Sequence, residues 1–133
     1  MNDLGSQRTL ARQRALELLY EAAIKERSVG VLLGELPVAP DPYTVLLLHA
    51  SEDSRSRSQE LISSHAIDWP LDRIALIDRL IMELAVGEAL LDDAPPKAVI
   101  MDEAVENTRT YSGDNAPSFV NGVLAAIFDE LGL

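Results

Sequence analysis

Apolar residues recur along this chain every three or four positions, in stretches broken by short runs rich in Pro, Ser and Gly; that period predicts helices. In TLARQRALELLYEAAIKER, residues Ala11, Ala15, Leu18, Leu19 and Ala22 fall on one stripe, so a first helix with a single buried face is predicted. A shorter helix is predicted through Val31, Leu32, Leu33 and Leu36. The run PVAPDP, from Pro37 to Pro42, cannot continue a helix and reads as a loop within a single domain spanning residues 1–133. Two further segments, YTVLLLHASED and SRSQELISSHAI, are separated by the polar stretch Ser51 to Ser58, which suits either a mobile link or one helical turn.

Beyond Trp69 and Pro70, apolar residues at Ile74, Ile77, Ile81, Leu84, Ala85 and Leu91 predict a long helix, apolar nearly all round, that starts near Leu76 and lies at the centre of the fold. Pro95 and Pro96 open KAVIMDEAVENTRTY, and Pro117 opens SFVNGVLAAIFDEL, because proline is tolerated in a first helical turn. YSGDNA between them is a turn. Gly122 lies inside the last predicted helix at a cost of about 1 kcal/mol relative to Ala, which points to close helix approach there.

Composition agrees with the periodicity. Leu and Ala dominate the 47% hydrophobic content and aromatics make up 5%, which favours helix-on-helix packing and an all-α fold. A chain of 133 residues can bury a sizeable core. With no cysteine there is neither a disulfide framework nor a thiolate metal site. No signal-like start or membrane-length apolar run is present, so a cytoplasmic protein without a membrane partner is expected. The net charge of −11 argues against a broad electrostatic grip on a polyanion, but it is uneven. Met1 to Arg27 carries five basic and four acidic residues, whereas the remainder carries six basic and eighteen acidic. Nucleic-acid contact should therefore centre on the N-terminal segment, leaving the acidic remainder to face a basic protein.

Catalysis would need a nucleophile beside a base, a metal-ligand cluster or a phosphate-cradling glycine loop, and none is legible, so no enzyme, metal or cofactor is expected. His49 and His65 lack a third partner at ligand spacing and read as surface or half-buried histidines. Asp92 with Asp93, and Asp102 with Glu103, point about 100° apart on a helix and read as solvated acidic faces. Arg8 and Arg12 share one helix stripe while Arg14 lies on another face, a patch able to meet two or three phosphates or to pair with Glu17 and Glu21. Tyr20, Tyr111 and Phe119 offer few stacking surfaces, and an isolated aromatic in an apolar stripe is more often core than a base platform.

Four segments carry a resemblance: ARQRALELLYEA (Ala11 to Ala22), DWPLDRIALIDRLIMELAVGEALL, PPKAVIMDEAVE and SFVNGVL (Ser118 to Leu124). In order and spacing they resemble the NusB family over residues 8 to 131, and the FVNGVL run after a proline-led helix is the most distinctive. The sequence departs from the family pattern at Glu83, where an arginine is usual, at Gly87 for a tyrosine, at Asn107 and Thr108 for an apolar-Ala pair, and at Ala116 for a serine.

The resemblance implies a compact bundle of about six to seven helices in two packed three-helix subunits, without catalysis. It further implies binding of boxA-type single-stranded RNA together with NusE, a small-subunit ribosomal protein, on RNA polymerase during transcription antitermination. Carried over by position, RNA contact falls on Arg8, Arg12, Arg14, Tyr20, Arg109, Asn115 and Phe119, and contact with NusE on Asp72 and Asp78. These groups from both chain ends should gather on one exterior patch. Two other readings stand beside this one: a helical interaction module that keeps the fold without RNA, and an accessory domain related to the NusB-like segment of RNA cytosine methyltransferases. The sequence leaves monomer and homodimer both open.

Overall fold

A computed structural model describes residues 4–133. Each predicted stripe folds as a helix, and residues that cannot continue a helix set the breaks. α1 runs Leu4–Lys25, starting ahead of the predicted stripe, and ends where Glu26 adopts a left-handed φ of 54°. Ser28 then caps α2 (Val29–Glu35) by accepting from the Val31 amide at 3.2 Å. Asp41 caps α3 (Pro42–Asp53) by accepting from the Tyr43 amide at 2.8 Å, with Pro42 in the first turn.

Ser54 alone separates α3 from α4 (Arg55–His65). The polar stretch Ser51 to Ser58 is therefore helical but for Ser54, and not a mobile link, and Ser51 and Ser58 are both buried against the core. Their small side chains fit where a larger polar group would not.

A 3₁₀ turn, Leu71–Arg73, leads into α5 (Leu76–Ala89), which begins at the predicted residue and is buried without interruption from Leu80 to Ala89. α5 packs on α1, α3, α4, α6 (Lys97–Tyr111) and α7 (Ala116–Glu130). α1, α2 and α3 touch one another, as do α5, α6 and α7, while α4 packs on α3, α5 and α7. This is the expected pair of three-helix subunits, and among the described residues there is no strand.

The core joins both subunits through Leu16, Leu18, Leu19, Leu47, Leu48, Ile62, Ile81, Met82, Leu124 and Phe128, all essentially closed to solvent. Each such side chain contributes roughly 1.5–3 kcal/mol through removal from water. The glycines reverse one expectation. A Cβ on Gly122 would meet nothing within 4 Å, whereas one on Gly87 would lie 3.0 Å from Ser51 Cα and N and 3.1 Å from Ala50 C. Close approach therefore occurs at Gly87, where α3 backbone fills the space a tyrosine would take. Among the described residues no helix is long and apolar enough to cross a membrane.

Candidate nucleic-acid interface

The arginines of α1 have three different fates. Arg12 is 4% exposed, and Glu88 of α5 accepts from its Nε at 2.9 and 3.0 Å and from its Nη2 at 2.8 Å. Glu103 of α6 lies 3.6 Å from Nη1 and accepts from Thr9 Oγ1 at 2.7 Å, while the Tyr43 hydroxyl also donates to Glu88. Burial works against the charged guanidinium, but the bonds to Glu88 outweigh it and hold Arg12 above its ordinary pKa. The expectation that Arg12 meets RNA directly is thereby corrected: its donors face a buried carboxylate, and it locks α1 to α5. Glu103 belongs to the same cluster and is not part of a solvated face.

Arg8, one turn earlier, stacks its guanidinium 4.3 Å from the Tyr43 ring centroid and lines a shallow concavity with Leu4, Asp41 and Leu46. It stands about 18 Å along the helix from Tyr20, so the two do not share a patch. Arg14 is exposed and 3.4 Å from Glu17, as ordinary charge pairing predicts. Glu17 also accepts from the Tyr111 hydroxyl at 2.9 Å, which ties the end of α6 to α1. Burial, then this bond, raises the Tyr111 pKa.

Two adjoining concavities share Ala75, at the start of α5. One, of about 500 Å³, is lined by Tyr20, Glu17, Tyr111, Leu76 and Ile77. The other, of about 360 Å³, holds Asn115 and Phe119 with Trp69, Arg73, Asp78 and Ala116. Asn115 occupies the N-cap position of α7 with φ −89° and ψ −10°, a helical conformation that leaves its side chain without a capping bond. Asn115 is exposed, lines the groove and makes no side-chain bond to its own helix. Phe119, one turn on, meets Trp69 edge-to-face with centroids 6.5 Å apart.

Asp78, expected to face a protein partner, lines this same groove and accepts from Ser112 Oγ. Asp72 is exposed on the 3₁₀ turn. Arg109 is exposed, donates to Glu106, and lines a separate polar concavity with Ser118 and Asn121 on the other side of the start of α7. Tyr20 lines one of the two adjoining concavities and Asn115 and Phe119 the other, while Arg8, Arg12, Arg14 and Arg109 line neither. Of the two histidines, His49 is exposed and His65 meets Glu130 at 2.8 Å.

Comparison with known proteins agrees with this architecture. The model of the NusB family matches residues 9–129. The chain belongs to the NusB family. It is 41% identical over 127 residues to the transcription antitermination protein NusB of Saccharopolyspora erythraea, covering 90% of this chain and 85% of that protein. The protein of the same name from Streptomyces griseus subsp. griseus is 35% identical over 133 residues, with 92% of each chain covered. Among solved structures, T. maritima NusB superposes with a TM-score of 0.76 at 28% identity, covering 98% of this chain and 94% of that one. The family is one of transcription antitermination factors.

Departures from the NusB pattern fall mostly inside. Glu83 is 1% exposed, with Arg79 at 3.2 Å, Arg55 at 3.7 Å and the Gln59 amide at 3.2 Å. Burial raises its pKa against the opposing pull of these neighbours. Asn107 and Thr108 are buried on α6, and Ala116 lines the Asn115 groove. Sequence reasoning assigned no site role to Trp69 or Arg73. The available signal was an isolated Trp and Arg flanking a proline in a polar context, which marks a surface ring next to a cation.

Proposed function

We propose that this protein is a non-enzymatic RNA-binding antitermination factor, working as a single NusB-like unit that takes boxA-type single-stranded RNA together with NusE on RNA polymerase. The observation that carries this reading is the Asn115 amide, unengaged by its own helix, beside the Phe119 ring in an open groove. An amide reads a base edge and a ring receives a splayed base, which is how single-stranded RNA is recognised with few charges. Tyr20 offers a second ring in the adjoining concavity, and the cations offered for phosphate are Arg14, beside Glu17 of that concavity, and Arg109, in a separate one. Arg12 acts indirectly, by fixing α1 so that Arg14 and Tyr20 face outward. Asp72 and Asp78 give NusE an acidic contact, in keeping with the excess of acid beyond Arg27.

The test is an anisotropy titration of a labelled boxA-type RNA and a scrambled control, with and without NusE, at two salt concentrations. We expect selective binding that weakens with salt and tightens when NusE is added. Replacement of Asn115 and Phe119 together by Ala should abolish the selectivity with helix content unchanged. A second reading, a helical interaction module without RNA, is favoured by the withdrawal of Arg12 and the net charge of −11. Equal, weak signals for both RNAs in every condition would establish it in place of the first.

A further inference from the structure

Trp69 is the chain's only tryptophan, and it is held half out of the protein at 52% exposure. Such a ring would normally be drawn inward by the large apolar area it can bury. The local chain keeps it outside. Asp68 takes a left-handed φ of 68°, which glycine, asparagine and aspartate adopt more readily than other residues, and the Trp69 amide donates to Ala66 O at 3.1 Å. Pro70 then fixes the exit toward the 3₁₀ turn that carries Arg73. The turn thus delivers one ring and one guanidinium to the rim of the groove that holds Asn115 and Phe119.

The groove also holds Asp78, whose carboxylate accepts from Ser112; the other groups make a coherent set. The edge-to-face contact between Trp69 and Phe119 leaves half of the indole surface uncovered. Arg73 is exposed and no carboxylate pairs with it among the described ion pairs, unlike Arg12, Arg14, Arg27, Arg55, Arg79 and Arg109. The volume of about 360 Å³ lies within the ordinary range of small-ligand sites. Open ring, unpaired cation and unengaged amide are what one nucleotide presents a use for: a base to stack, a phosphate to neutralise and an edge to read.

We infer that Trp69 and Arg73 complete a one-nucleotide subsite, in which a base of the bound RNA stacks on the indole and its phosphate meets the Arg73 guanidinium. The inference rests on the RNA-binding reading above. It adds a stacking residue and a phosphate-binding residue from the turn before α5 to those of α1 and α7.

The single tryptophan makes the test direct. Unlabelled boxA-type RNA is titrated into the protein while indole emission is followed with excitation at the red edge, where the tyrosines stay dark; labelled RNA is followed in parallel by anisotropy. Stacking predicts emission quenching that saturates together with the anisotropy signal. Trp69→Ala should weaken binding about tenfold, Trp69→Phe should recover most of that loss, and Arg73→Ala should flatten the salt dependence. Binding by anisotropy with unchanged indole emission, or with full affinity in Trp69→Ala, would overturn the subsite and leave RNA binding intact. Absence of anisotropy change with any RNA would overturn the RNA-binding reading itself, and the subsite with it.

Discussion

Two polar regions of this molecule are built from similar side chains and behave oppositely. At the Arg12 end, α1, α3, α5 and α6 close around a guanidinium, a phenol and two carboxylates, and nearly every donor faces an acceptor inside the protein. At the Asn115 end, an amide, two rings, a guanidinium and the Asp78 carboxylate line an open groove; Asp78 accepts from Ser112, and no described ion pair joins it to Arg73. Residue type alone does not separate a structural arginine from a contacting one. What separates them is whether a carboxylate pairs with the arginine when the helices pack, as Glu88 does with Arg12 and Asp78 does not with Arg73 among the described ion pairs. The closed region should therefore report on stability and the open one on binding, and the contrast can be attacked from both sides.

The largest effect is expected from Arg12→Ala. It strands the Glu88 carboxylate, 2% exposed, without its main partner, and breaking one side of a buried pair costs about 3–5 kcal/mol. A urea titration should show the midpoint fall accordingly. Replacing the pair together, with Arg12→Met and Glu88→Leu, should restore much of the loss because no charge is then left unpaired. Arg12→Ala with unaltered stability but lost RNA binding would break the comparison, since Arg12 would then be a contact residue.

The next effect sharpens the closed side by contrasting two glycines of packed helices. Gly87→Ala drives a methyl to 3.0 Å from Ser51 backbone atoms, which cannot swing away as a side chain can, so overpacking should cost about 1–3 kcal/mol. Gly122→Ala meets open space and should stabilise by about 0.5–1 kcal/mol through helix propensity. Thermal unfolding of both variants checks the opposite signs. Equal shifts would mean that α3 and α5 are not in close contact at Gly87.

These cases mark how far the sequence can be read. The period of apolar residues placed α5 at its observed start and identified the all-α class, and Pro95 and Pro96 placed the start of α6, because periodicity and breakers are local information. It could not separate Arg8 from Arg12, which share a stripe, since the difference is made by Glu88, 76 positions away. It pointed to close approach at Gly122 and left the space beside Gly87 to a neighbour or a partner; only the packed helices show that α3 fills it and that Gly122 meets nothing. Ser51 and Ser58 read as a polar break because their chemistry is polar, while their size is what the interior uses. Of the groove, Asn115 and Phe119 were legible through family resemblance. Trp69 and Arg73 were not, because their role depends on a turn bringing them across to the start of α7.

A smaller effect concerns pH and tests the half-buried member of the closed cluster. Burial and the hydrogen bond to Glu88 push the Tyr43 hydroxyl from 10.0 up to about 12. The folded protein therefore holds this proton where the unfolded chain releases it. The corresponding stability is fully present below pH 10 and is lost as pH rises through about 12. Tyr43→Phe keeps the ring under Arg8 but has no proton to lose. Denaturation midpoints across this window should fall more steeply for the natural protein than for Tyr43→Phe; parallel curves would remove Tyr43 from the cluster's energetics.

The smallest expected change in stability is at Asn115. An asparagine in the N-cap position normally accepts a bond from its helix, and its loss costs typically about 1 kcal/mol. Here the backbone of Asn115 is helical and its side chain makes no such bond, so Asn115→Ala should alter stability by no more than about 0.5 kcal/mol. The same substitution should impair RNA selectivity, because Asn115 lines the groove and makes no capping bond to the helix. Chemical denaturation and RNA titration on one preparation separate the two roles. A loss of 1 kcal/mol or more with selectivity intact would make Asn115 an ordinary cap, and the open groove would lose the polar group that lets it tell one base from another.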